Sequence, residues 1–222
     1  MNTFLKLAAV ALVGTVAMAA PSSATVVNGV CGNVSGLTEL GGSTPGTFSC
    51  TAFDANLGPL TSMVLTITGS IETTISLTNT NLDTQGGSAT TISQFNVGAL
   101  TGFTVTNPIF TLNASTGPVS LAAGASTVVG PVLASGNSGP LIPFDFSSYA
   151  IPGGGSFNIN VGTQTGLLNN FAGGNSIAGQ VTTATASATV VYTYGVTTPE
   201  PASMALLGAG MLALGFARRR RG

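Results

Sequence analysis

Charge is nearly missing from this 222-residue chain: 5% of its residues are charged, against roughly 25% in an ordinary soluble domain. There is no His and no Trp. The five basic residues are Lys6 and the run Arg218, Arg219, Arg220 and Arg221, so nothing basic stands between position 6 and position 218. Each absence removes a class of chemistry. Without His there is no Ser-His-Asp or Cys-His arrangement. Without Lys in the body of the chain there is no Schiff-base or Ser-Lys mechanism. Two Cys and no His do not make an ordinary zinc site. Without Lys or Arg nothing neutralises nucleic-acid phosphates, so no nucleic-acid partner is expected. The same lack removes the guanidinium fork that grips phosphates and carboxylates.

Carboxylates remain. The acids are Glu39, Asp54, Glu72, Asp83, Asp145 and Glu200. Two of them converging would permit glycoside hydrolysis. Such clefts are normally lined with aromatics, and this chain offers three Tyr: Tyr149, Tyr192 and Tyr194. The expectation is a non-enzymatic protein with no catalytic residue and no resident cofactor. Tyr149 is the candidate for a sugar contact, whereas Tyr192 and Tyr194 read as the core side of a strand.

Both ends read as signals. Lys6 closes a short positive region, and Leu7 to Ala20 is a 14-residue apolar run, too short for a comfortable span. Small residues follow, and Ser22-Ser23-Ala24 suits signal peptidase. Residues 1–24 are therefore expected to be a cleaved signal peptide, with cleavage after Ala24. At the other end Pro199-Glu200-Pro201 precedes the apolar run Ala202 to Ala217, then the four Arg and Gly222. A 16-residue helix spans about 24 Å, slightly less than the hydrocarbon core, and flanking residues make up the difference. The Arg cluster would stay cytoplasmic, which places the remainder outside the inner membrane.

Residues 199–221 resemble the PEP-CTERM sorting signal of Gram-negative bacteria: a Pro-Glu-Pro motif, a short transmembrane stretch and a terminal basic cluster. The resemblance implies an exported protein whose tail is handled by an exosortase, a membrane-embedded transpeptidase-like enzyme. It makes Pro199, Glu200, Pro201 and Arg218, Arg219, Arg220 and Arg221 the sorting residues. It also implies transient inner-membrane anchoring, then a place at the cell surface or in extracellular exopolysaccharide and biofilm.

Removing both ends leaves residues 25–198. The five acids Glu39, Asp54, Glu72, Asp83 and Asp145 give this part a formal charge of −5. Cys31 and Cys50 are the only cysteines, and in an oxidising compartment such a pair bridges. Gly, Pro and Asn punctuate the segment, and several runs alternate with period two. Met63, Leu65 and Ile67, then Ile71, Thr73, Ile75 and Leu77, alternate on either side of Gly69-Ser70. Residues 61–80 therefore predict a β-hairpin turning at Gly69-Ser70. Phe157, Ile159 and Val161 predict another strand. Ala184, Ala186, Ala188, Val190, Tyr192 and Tyr194 share one face of the clearest strand, with Thr183, Thr185, Ser187, Thr189 and Thr193 on the other and Val191 among them. Leu121 to Gly130 and Gly162 to Gly179 read as loops or edges. The fold class expected is all-β, an antiparallel β-sandwich of eight to ten strands. Thr, Ser, Asn and Gln would coat its outer faces, and Asn33-Val34-Ser35 and Asn113-Ala114-Ser115 match the glycosylation pattern.

Thr47-Phe48, the run Phe53-Asp54-Ala55-Asn56-Leu57-Gly58-Pro59-Leu60-Thr61-Ser62 and the closing Ala186 to Tyr194 resemble the choice-of-anchor E domain. The resemblance runs from about 45 to 195 and implies a surface domain with no assigned activity. For Asp54 the plain reading is a turn residue accepting backbone N–H groups. The sharper one is a calcium ligand with Asp83 or Asp145.

Overall fold

A computed structural model of the chain describes residues 23–37, 46–173, 175–196 and 208–211. The body, Ala24–Val196, forms one compact unit. Eleven strands are described: β1 (Ser23–Gly29), β2 (Asn33–Leu37), β3 (Gly46–Asp54), β4 (Leu60–Asn79), β5 (Gln85–Val97), β6 (Phe110–Ser115), β7 (Val119–Leu121), β8 (Ser126–Asn137), β9 (Ala150–Ile151), β10 (Gly155–Phe171) and β11 (Ser176–Val196). The protein is all-β, as the alternation predicts.

The strands form two sheets. One runs β1-β11-β4-β8, with β2 also on β11; the other runs β6-β5-β10-β3-β9, with β7 also on β5. β10 with β3 and β5, β11 with β2 and β4, β4 with β8, and β5 with β6 and β7 pair antiparallel, while the two-residue contact of β3 with β9 is parallel. The long strands β4 and β11 pair over nearly their whole length, from Asn79 with Ser176 to Leu60 with Tyr194. Their inward positions meet the inward positions of β3, β5 and β10 in one large core that includes Met63, Leu65, Ile67, Phe95, Ile159 and Val190. A smaller apolar cluster at the far end gathers Ile75, Leu77, Ala89 and Leu121.

Alternation explains the sidedness. Ala184, Ala186, Ala188, Val190 and Tyr192 are buried, while the Thr and Ser between them are half-buried or exposed. The small alanines let the sheets approach, and the β-branched Thr suit the pleated outer surface.

Two expectations need correction. Residues 61–80 are not a hairpin: β4 passes straight through Gly69-Ser70 as one 20-residue strand. Gly69 is glycine for packing. An added Cβ would lie 2.5 Å from Phe95 Cε1 and 2.8 Å from Phe110 Cζ, and glycine within a strand marks such close approach. The segment 162–179 is mostly strand, because β10 continues to Phe171 and β11 begins at Ser176. Its glycines and amides mimic a loop, but both are tolerated where the outer sheet face meets water. The segment 121–130 is turn and edge, as read: Ala122–Ala125 forms the turn, and β8, starting at Ser126, is the edge strand of its sheet. β8 carries Pro131 on the sheet edge, where a missing N–H costs no ladder bond.

β1 opens at Ser23, within the expected 1–24 signal segment; residues 1–22 lie outside the described residues. So do Pro199, Glu200, Pro201 and Arg218, Arg219, Arg220 and Arg221. Within the expected C-terminal span, residues 208–211 are described, as a helical turn. Among the described residues no helix is long and apolar enough to cross a membrane.

Candidate functional site

The acids come first, because they carry the only catalytic or metal chemistry the composition allows. Asp54 closes β3 and caps the 3-10 turn Ala55–Leu57: its Oδ1 accepts the N–H of Asn56 at 2.9 Å and that of Gly153 at 2.8 Å. Asp145 Oδ1 accepts the N–H of Ser147 at 2.9 Å, and that bond holds its carboxyl below the usual range. Asp83 sits exposed in the turn between β4 and β5, and Glu72 points outward from the middle of β4. Glu39 lies outside the described residues. Among the described residues no three Asp, Glu, Cys or His side chains gather. Asp54, Asp83 and Asp145 therefore do not form one calcium cage, since each serves or borders a different turn. The turn role read for Asp54 is the one its oxygen performs.

The tyrosines are committed inward. Tyr149 is 3% exposed. Its hydroxyl donates to the Thr101 carbonyl at 2.7 Å, and its ring meets Phe157 edge-on at 4.7 Å. Tyr192 donates to the Thr51 carbonyl at 2.8 Å. Tyr194 packs on Phe53 with centroids 5.2 Å apart. Burial raises the phenol pKa of both Tyr149 and Tyr192. No free ring face is left at Tyr149 for a sugar, which removes it as the glycan contact.

Cys31 and Cys50 form the expected disulfide, with Cα atoms 4.0 Å apart. Its place follows from the backbone between β1 and β2. There Gly32 N–H donates to the Ser49 carbonyl and Thr51 N–H to the Val30 carbonyl, each at 2.8 Å. The bridge thus ties the β1–β2 edge of one sheet to β3 of the other.

The outer face of β4 is mostly polar, whereas its neighbours expose apolar side chains, Val128 and Leu133 on β8 and Ile177 and Val181 on β11. On β4, Ser62, Thr66, Thr68, Ser70, Thr74, Ser76 and Thr78 point outward, with Glu72 among them. Asn33 and Asn113 of the two glycosylation patterns are exposed on strand surfaces. The face of the other sheet contains a hollow of about 430 Å³ lined by Ile92, Gln94, Gln164, Gly166 and Leu168, with Thr165 and Leu167 behind. The sequence reading missed this feature because it depends on the β5–β10 register, which places Gln94 beside Gln164 and Ile92 beside Gly166.

Comparison with known proteins adds one decisive match. The model of the PEP-CTERM protein-sorting motif fits residues 197–221. The chain carries a PEP-CTERM tail. That tail marks an exported protein, sorted to the surface of a Gram-negative cell by an exosortase, which is the tail's processing partner. It begins directly after the end of β11 at Val196, so the β-domain precedes the PEP-CTERM tail without a long linker. No curated protein matches the chain. Among solved structures, a chain of infectious bursal disease virus Gx strain is 13% identical over 82% of this chain and 44% of that one, with a TM-score of 0.17. A chain of the Gt strain is 12% identical over 89% and 49%, with a TM-score of 0.16. The chain thus spans under half the length of these viral chains, and scores this low carry no argument.

Proposed function

We propose that this is a non-enzymatic display protein: its β-domain is carried out of the cell, released from its tail and held in the extracellular polysaccharide. The observation that carries the reading is the PEP-CTERM tail at residues 197–221. Signal peptidase removes the N-terminal segment, and the C-terminal apolar run anchors the chain in the inner membrane until the exosortase acts. The domain is read as choice-of-anchor E-like, on the Phe53-Asp54 to Ser62 run and the closing Ala186–Tyr194 strand. The non-enzymatic reading rests on composition: no His, no base in the body of the domain, and acids spread over separate elements.

Intact-mass measurement on fractions of the native producer tests it. The expected species, found in the outer envelope, matrix or medium, lacks both terminal segments and is two hydrogens light for the disulfide. A full tail confined to the inner membrane overturns the reading.

A further inference from the structure

The hollow on the six-stranded sheet arises from one residue. Alternation sends Gln164, Gly166 and Leu168 of β10 outward beside Ile92 and Gln94 of β5. At position 166 the row of side chains drops away, and an added Cβ would meet nothing within 4 Å. Gly69 and Gly87 contrast with it: there Phe95, Phe110 and Phe171 lie where a Cβ would stand. At Gly166 the same gap opens to solvent.

The walls differ in chemistry. On one side Gln94 and Gln164 are cross-strand neighbours, and neither side chain makes a hydrogen bond within the described residues. Each amide offers two N–H donors and an acceptor oxygen. On the other side stand the methyl groups of Ile92 and of Leu168, which is 56% exposed. The volume lies within the about 300–1,000 Å³ of small-molecule sites. A ring with an apolar C–H face and a rim of hydroxyls complements this combination. Charge narrows the class further. No acid or base lines the hollow, and residues 25–198 hold five acids and no base, so anionic polymers are repelled.

We propose that the hollow over Gly166 binds a neutral pyranose unit of a polysaccharide chain, with Gln94 and Gln164 bonding its hydroxyls and Ile92 and Leu168 covering its C–H face. This rests on the display reading above and adds the site and the sugar class. Without an aromatic platform each contact is weak, and a long polymer offers many equivalent sugar units to the one hollow.

Affinity electrophoresis of the full chain in detergent tests it, through gels containing dextran, galactomannan or anionic alginate. The expected result is retardation by a neutral polymer and none by alginate. Gln94→Ala and Gln164→Ala each weaken it about fivefold, and Gly166→Leu abolishes it at unchanged melting temperature. Equal retardation of all three variants overturns the site. So does retardation by alginate alone, or by no polymer. Fractionation of the producing cells then reads separately: wild-type protein in the matrix keeps the display reading even where the site has fallen, and its absence from the matrix removes that reading.

Discussion

Phe95 occupies the space that a side chain at Gly69 would need: an added Cβ would lie 2.5 Å from its ring. Phe95 in turn stacks on Phe110 with centroids 4.6 Å apart. β4 therefore crosses the centre of its sheet over a glycine chosen for the neighbouring sheet's aromatic pair. Gly69→Ala is expected to destabilise the domain by about 1–3 kcal/mol through overpacking, a fall in Tm of roughly 2–4 °C per kcal/mol. Ser70→Thr, one residue on and facing solvent, is expected to stay within about 0.5 kcal/mol. Thermal denaturation of both variants checks this. Equal tolerance at the two positions would contradict the packing role.

A buried hydroxyl chain separates the two apolar clusters. Thr73 Oγ1 lies 2.8 Å from Thr182 Oγ1 on the neighbouring strand and 3.1 Å from Thr91 Oγ1 on the facing sheet, and Thr91 donates to Gln180 Oε1 at 2.5 Å. Thr73→Val keeps the shape but strands a buried partner, at a cost of about 1–3 kcal/mol. The double variant Thr73→Val/Thr91→Val is expected to cost less than the sum of its singles, because both ends of one bond are gone. A urea-denaturation cycle over the four proteins measures the coupling, and strict additivity would rule out a shared bond.

The disulfide closes a loop of 19 residues' separation between the two sheet edges. In the chain-entropy account such a loop is worth about 3 kcal/mol. Cys31→Ser is expected to lower stability by roughly that amount, and reductant is expected to have no further effect on the variant. Hydrogen exchange should localise the change at the Gly32 and Thr51 amides, which bond across the two edges beside the bridge. Unchanged protection there would argue against a stapling role.

What could be read in advance divides along physical lines. Strict period-two runs with apolar residues on one face identified β11 and the inner face of β4, because burial on one side writes that pattern directly. Two lone cysteines in an exported chain identified the bridge, and the tail motif stands in contiguous residues. The failures share one cause. Gly69 and Gly166 both look like breaks in a strand, yet one is filled by Phe95 from another strand and the other opens to solvent. What tells them apart is the face each occupies: Gly69 on β4 faces inward onto the other sheet, and Gly166 on β10 faces outward. Gln94 and Gln164 meet through register alone. Tyr149 looked like a surface ring because its partners Thr101 and Phe157 come from other segments.

Protonation should leave stability nearly flat from about pH 6 to 9, because no His, Lys or Arg lies between Lys6 and Arg218 and free carboxyls and phenols titrate outside that window. Above it the sign follows from Tyr149 and Tyr192. Burial raises both phenol pKa values, and the nearby Tyr149 adds to the rise at Tyr192. Unfolded phenols release their protons near about pH 10, while the folded ones keep them. Above that point the unfolded chain binds fewer protons, so stability falls as pH rises. On the acid side Asp145 is held low by the Ser147 N–H. Its small contribution is present above the ordinary carboxyl range and disappears as pH drops through it, and full exposure keeps it minor. Urea midpoints from about pH 4 to 11 should therefore trace a plateau with a steep alkaline limb. Tyr192→Phe should start lower, having lost its bond to the Thr51 carbonyl, and should show a shallower alkaline limb. An alkaline limb equally steep in Tyr192→Phe would assign the loss to other groups.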